Sequence, residues 1–102
     1  YWSGEPDHYY NKLVDASVAP DYRQGGGEHL IDYPGVYNYC VAVDYNPECI
    51  VGKGSAIFLH CQGAGTTAGC ISIPESNMIT VLQNLRSDAK IIIDYEANLG
   101  LY

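Results

Sequence analysis

The sequence predicts a small, mainly β domain, of β or α+β class, with one helix placed after Cys70. Three observations carry that prediction. Two stretches, 36–45 and 55–61, are rich in β-branched and aromatic residues and alternate as strands do. One stripe, Met78, Val81, Leu82 and Leu85, has helical spacing instead. Apolar residues make up 47 % of the 102-residue chain and charged residues 17 %, a balance that favours a packed core over disorder.

Residues 1–35 are rich in Gly, Pro, Asp and Tyr and have weak periodicity. The segment Asp7–Val14 reads equally as a short helix or as an extended piece. Gly25-Gly26-Gly27 marks a loop, and Tyr33-Pro34-Gly35 marks a turn. The run VYNYCVAVDY, residues 36–45, is then a strand closed by Asn46-Pro47. Its face bearing Tyr37, Tyr39 and Tyr45 is either core or the wall of a substrate groove. Gly52-Lys53-Gly54 turns the chain into a strand from Ser55 to Cys61, with Ile57 and Leu59 on one face and Ala56, Phe58 and His60 on the other. Cys70–Ile73 is a short extended segment. Ser72-Ile73-Pro74-Glu75 fits a capping box, so a helix is expected from near Ser72. Lys90–Tyr95 contains three consecutive isoleucines and reads as a final strand buried on both faces.

Bulk properties narrow the function. A net charge of −7 leaves no basic stripe able to neutralise phosphates, which argues against nucleic acid. No apolar stretch of about 18 residues is present to span a membrane, and no signal peptide is visible. The chain opens on Tyr1-Trp2-Ser3-Gly4 without an initiator Met, so it is expected to be a processed or truncated piece. Residues 1–102 form one domain, expected to be partial. The cysteines at 40, 49, 61 and 70 lack the paired C-x-x-C spacing typical of structural zinc. In an exported chain Cys40 and Cys49 are candidates for a bridge, although spacing alone does not fix pairing.

The chemistry converges on His60 and Cys70. A thiol becomes an effective nucleophile when a base takes its proton, and imidazole at a strand end is suited to that role. Gly69 lets backbone N–H groups at Gly69 and Cys70 approach a carbonyl and face a developing oxyanion. A helix starting near Ser72 would lower the thiol pKa further. Against this stands the reading of Cys70 as an ordinary buried cysteine. Cys61 alternates to the opposite face from His60 and is expected to pack. Ser55 and Thr66 either border the pocket or bond local backbone. Glu28-His29 and His8 are weaker candidates.

GSAIFLHC and TTAGCISIP together resemble the catalytic core of the L,D-transpeptidases of YkuD type, firmly over residues 52–93 and loosely back to Val36. Their pattern is a strand-end His, a loop, then Ser/Thr-His-Gly-Cys running into a strand and helix. The resemblance implies a small β-sandwich or open barrel, with Cys70 as nucleophile, His60 as its base and Gly69 as the adjacent glycine. Thr67 falls on the Ser/Thr position, and Thr67, Ser72 and Ser55 become candidate substrate contacts. Two residues depart from the pattern: Ala68 replaces a second histidine, and Ser72 replaces an Asn or Arg. The implied activity is cysteine-dependent cross-linking of peptidoglycan stem peptides outside the cytoplasm, with neither metal nor organic cofactor. Alternatives are an L,D-carboxypeptidase, another Cys/His wall peptidase, a non-catalytic wall-binding homologue, or a metal-stapled domain using His60, Cys61 and Cys70, with Cys49 as a further candidate ligand.

Overall fold

The computed structural model describes residues 1–102, with Gln24 described for its backbone alone. The fold is mainly β with one α-helix, the class expected. Strands β1 (Trp2–Ser3) and β2 (Gly27–Glu28) form an antiparallel pair, and β3 (Cys40–Ala42), β4 (Phe58–Cys61) and β5 (Ile71–Ile73) form a second sheet in that order. Helix α1 (Glu75–Asn84) packs against β4. Neither sheet closes on itself.

β4 is the centre of the larger sheet. It pairs antiparallel with β3, Cys40 opposite His60, and parallel with β5, His60 opposite Ser72. Phe58 is 1 % exposed and His60 5 %, and Tyr37 packs edge-on against both rings, so the two share one covered face as their alternation requires. Joining parallel strands across one loop is unusual, because a parallel crossover ordinarily needs a dozen or more residues. Here residues 62–70 suffice, being mostly glycine, alanine and threonine.

The first 35 residues wrap into a small satellite around Val14, Ala19 and Tyr22, with Tyr1 and Tyr9 packed against them. Residues 7–14 contain turns and a single bridge from Leu13 to Trp2, rather than a helix. Trp2 and Asn11 are prominent among the contacts between the satellite and the rest of the chain. The Trp2 indole meets Phe58 edge-on, ring centroids 5.1 Å apart. Asn11, buried, donates from Nδ2 to the carbonyls of Tyr45 and Asn46, and its Oδ1 accepts from Trp2 Nε1 and Ala56 N–H. That fills both donors and both lone pairs of the amide. Asn46 repeats the device next door, bonding Ile50 and Gly54.

Five expectations fail. The strand expected over 55–61 forms only over Phe58–Cys61, Ala56 holding φ +58°. The strand expected over 36–45 forms only over Cys40–Ala42, because the Tyr33-Pro34-Gly35 turn runs on: Tyr37 N–H returns to the Tyr33 carbonyl and Gly35 N–H to Asn38 Oδ1. No capping box forms. Pro74 is the N-cap, and its carbonyl accepts from Asn77 and Met78, so the helix starts at Glu75 and not near Ser72. Residues 90–95 do not pair as a strand, and Ile93 and Tyr95 are 73 % and 83 % exposed, since no neighbour offers them a ladder. The helix stripe, expected to pack as core throughout, is covered mainly at its start: Met78 is fully buried and Val81 half-buried, while Leu82 and Leu85 stay exposed.

Asn11 also holds φ +56°, a conformation asparagine tolerates better than alanine does. Asn11→Ala therefore loses four hydrogen bonds and gains backbone strain. It should lower unfolding free energy by roughly 3 kcal/mol in urea denaturation. A change within about 0.5 kcal/mol, the usual range for an unremarkable surface site, would contradict the role given to this amide.

Candidate functional site

Residues 62–68 arch over the covered face of the larger sheet and leave a cleft of about 330 Å³. Glu28, Val36, Tyr37, His60, the small-residue loop 63–68 and Cys70 border it. The structure thus brings His60 and Cys70 to one cleft, with Thr66 and Thr67 on its rim. Ser55 and Ser72 are not among its bordering residues. Ser55 lies toward Gly4, and Ser72 stands opposite His60 in the ladder.

Register explains why imidazole and thiol border the same cleft. Leu59 opposes Ile71, so the residue before Ile71, Cys70, arrives beside Phe58. Its Sγ accepts from the Phe58 N–H at 3.4 Å and donates to the Ala56 carbonyl at 3.3 Å. Ala56 holds φ +58°, an uncommon conformation for a residue with a side chain, and its N–H is fastened to Asn11. The seat of the sulfur therefore depends on the N-terminal satellite.

His60 Nδ1 lies 2.7 Å from the Cys61 carbonyl. A carbonyl only accepts, so Nδ1 carries a proton, and in the neutral ring Nε2 holds the lone pair a base requires. The Tyr37 ring stands edge-on to the imidazole at 5.3 Å, which fixes its plane. Tyr37 O–H donates to Glu28 Oε2, and Glu28 is presented by the pairing of β2 with Trp2.

The thiol is not preset as a thiolate. Burial pushes Cys70 above its ordinary value and the Glu28 carboxylate pushes the same way, while the Phe58 N–H opposes both. The helix expected from near Ser72 begins at Glu75, and its first carbonyl acceptor is that of Pro74. Gly69 also departs from expectation. Its N–H points to Thr67 Oγ1 at 3.4 Å, and the Thr67 hydroxyl donates to the Cys70 carbonyl at 2.7 Å. Thr67 thus shapes the turn that delivers Cys70. A Cβ on Gly69 would find space, its nearest neighbour being Ile57 Cδ1 at 3.6 Å, so the glycine is required by its φ of +157° and not by crowding.

The remaining candidates are placed as follows. All four cysteines are free thiols, so the Cys40–Cys49 bridge is not made: Cys40 lies in β3, whereas Cys49 Sγ faces the Asn11 and Pro47 carbonyls. Cys61 is buried and turned to the Tyr39 carbonyl. His8 pairs with Asp21, and His29 stacks on Tyr1 and pairs with Asp32. Tyr39 and Tyr45 lie outside the cleft's border, Tyr45 giving its hydroxyl to the Lys53 carbonyl. Among the described residues no group of three or more His, Cys, Asp and Glu is arranged to hold a metal, and no helix is long and apolar enough to cross a membrane. Comparison with protein families, with curated proteins and with solved structures finds no match to the chain.

Cys40 supplies a pH test of this packing. Burial first, and then the neighbouring Cys70, Glu28 and Cys61, push its thiol up to about 11 from 9.0. The folded chain then holds a proton that the unfolded chain releases, so stability is intact below about pH 9 and declines toward pH 11. Cys40→Ala should flatten that part of the denaturation-midpoint profile. An unchanged slope would mean that the thiol is not shielded as described.

Proposed function

We propose that the chain is a cysteine acyltransferase, an L,D-transpeptidase that acts on peptidoglycan stem peptides outside the cytoplasm. The observation that carries the chemistry is the shared cleft of Cys70 and His60, with the imidazole locked by Cys61 so that Nε2 is its basic atom. The choice of substrate rests on the resemblance of residues 52–93, including the His60–Gly69–Cys70 order.

In this reading His60 Nε2 takes the Cys70 proton as the sulfur attacks, since the resting thiol is neutral. The sulfur adds to the carbonyl of the third residue of a stem tetrapeptide. The bond to terminal D-alanine breaks, the departing amine receives the proton from His60, and a thioester remains. An acceptor amine attacks the thioester and gives its proton to His60; the C–S bond breaks, the acyl group leaves on the amine, and His60 returns the proton to the Cys70 sulfur. Water in its place gives the carboxypeptidase outcome. The Cys70 N–H is the candidate oxyanion donor, Gly69 being engaged with Thr67.

One observation favours a second reading. Cys70 gives its hydrogen to the Ala56 carbonyl, which is how a structural thiol is satisfied, and that suits a non-catalytic wall-binding homologue.

Intact-mass measurement after incubation with a stem tetrapeptide separates the two. Transfer chemistry gives a tripeptidyl adduct on Cys70 with release of D-alanine. His60→Ala should slow acylation by about 10²–10⁴-fold, and Cys70→Ala should abolish it. Binding without any adduct would support the wall-binding reading and remove the enzyme.

A further inference from the structure

Glu28 is the one carboxylate bordering the cleft, and among the described residues no lysine or arginine borders it with Glu28. Lys12 is engaged on the His8 carbonyl and Arg86 on Asp88, both away from the cleft. The carboxylate is nonetheless held in place. Pairing with Trp2 fixes its backbone, and the Tyr37 hydroxyl holds Oε2 while the ring of that same tyrosine lies against His60.

An unbalanced anion beside a thiol works against the thiolate, and burial magnifies the effect. That arrangement is productive when the incoming molecule supplies the balancing charge. We propose that Glu28, oriented by Tyr37, is the recognition residue for a positively charged ammonium group on the molecule that reacts at Cys70. The cleft accordingly takes amine-bearing substrates and rejects those that place a carboxylate at the same point. The inference deepens the acyl-transfer reading and rests on it for the identity of the reacting atom.

The test uses the full chain and three small alkylating agents, 2-bromoethylammonium, iodoacetamide and iodoacetate. Each forms a C–S bond to Cys70 as halide leaves, with the thiol proton passing to buffer. Rates at Cys70, mapped by peptide mass, are divided by the rate of the same reagent with the urea-unfolded chain, which cancels intrinsic reactivity. The cation should be favoured over the anion by about tenfold, the lower end of what a focused local field supplies, and salt should reduce the ratio.

Glu28→Gln should bring the ratio close to one, while Glu28→Asp retains it and Tyr37→Phe narrows it. Glu96→Gln removes a charge outside the cleft and should leave the ratio intact. A ratio near one in the native chain would overturn the assignment. So would a preference that survives Glu28→Gln or falls equally in Glu96→Gln, which would mark it as a property of the overall −7 charge. His60→Ala reports separately on the underlying chemistry. If it leaves the iodoacetamide rate unchanged, His60 is no base for Cys70 and the acyl-transfer reading fails, whatever the charge ratio shows.

Discussion

The arrangement depends on one buried amide, that of Asn11. Its four hydrogen bonds tie together the Trp2 indole, the carbonyls of Tyr45 and Asn46, and the N–H of Ala56. A buried amide left half-satisfied would cost more than an apolar side chain of similar size, so a complete set is what makes the residue stabilising. Ala56 is held at positive φ by this anchor, and its carbonyl receives the Cys70 Sγ–H. The position of the sulfur is thus set by a residue far away in sequence and outside the segment that carries the Cys/His motif.

A second path connects the same parts through aromatic rings. Trp2 meets Phe58, Phe58 meets Tyr37, and Tyr37 meets His60, each pair edge-on at 5.1 to 5.6 Å. Edge-to-face pairs are individually modest, on the order of 1 kcal/mol beyond area burial. Their value here lies in position: the chain of rings begins at β1, passes through β4 and ends on the imidazole. Because β1 also presents Glu28 through β2, the satellite contributes the charge that borders the cleft. In the acyl-transfer reading proposed above, a neutral thiol, a base and a lone carboxylate mean that the nucleophile is made by proton transfer during attack, not held ready beforehand.

Much of the site was legible because its determinants are local. The alternation around Phe58 and His60, the extended segment after Cys70 and the helical spacing from Met78 each follow from a few consecutive side chains. What escaped the sequence depends on distant partners. Ile91-Ile92-Ile93 has strand composition, but apolar character names no partner, and none pairs with it. Tyr37 looked like a strand residue until the Tyr33-Pro34-Gly35 turn extended far enough to absorb it. Glu28 stood only as a weak candidate beside His29, since its place at the cleft comes from pairing with Trp2. Asn11 and Asn46 gave no sign of burial either; asparagine in a Gly- and Pro-rich chain ordinarily marks a turn.

Native-state hydrogen exchange at the Ala56 amide tests the dependence on Asn11 most directly. If the satellite and the larger sheet form one cooperative unit, this N–H exchanges only when the whole chain unfolds, with the same opening free energy as the amides of β4. Exchange of Ala56 at a much lower opening free energy, while β4 remains protected, would show that the satellite detaches by itself. The seat of Cys70 would then not depend on Asn11.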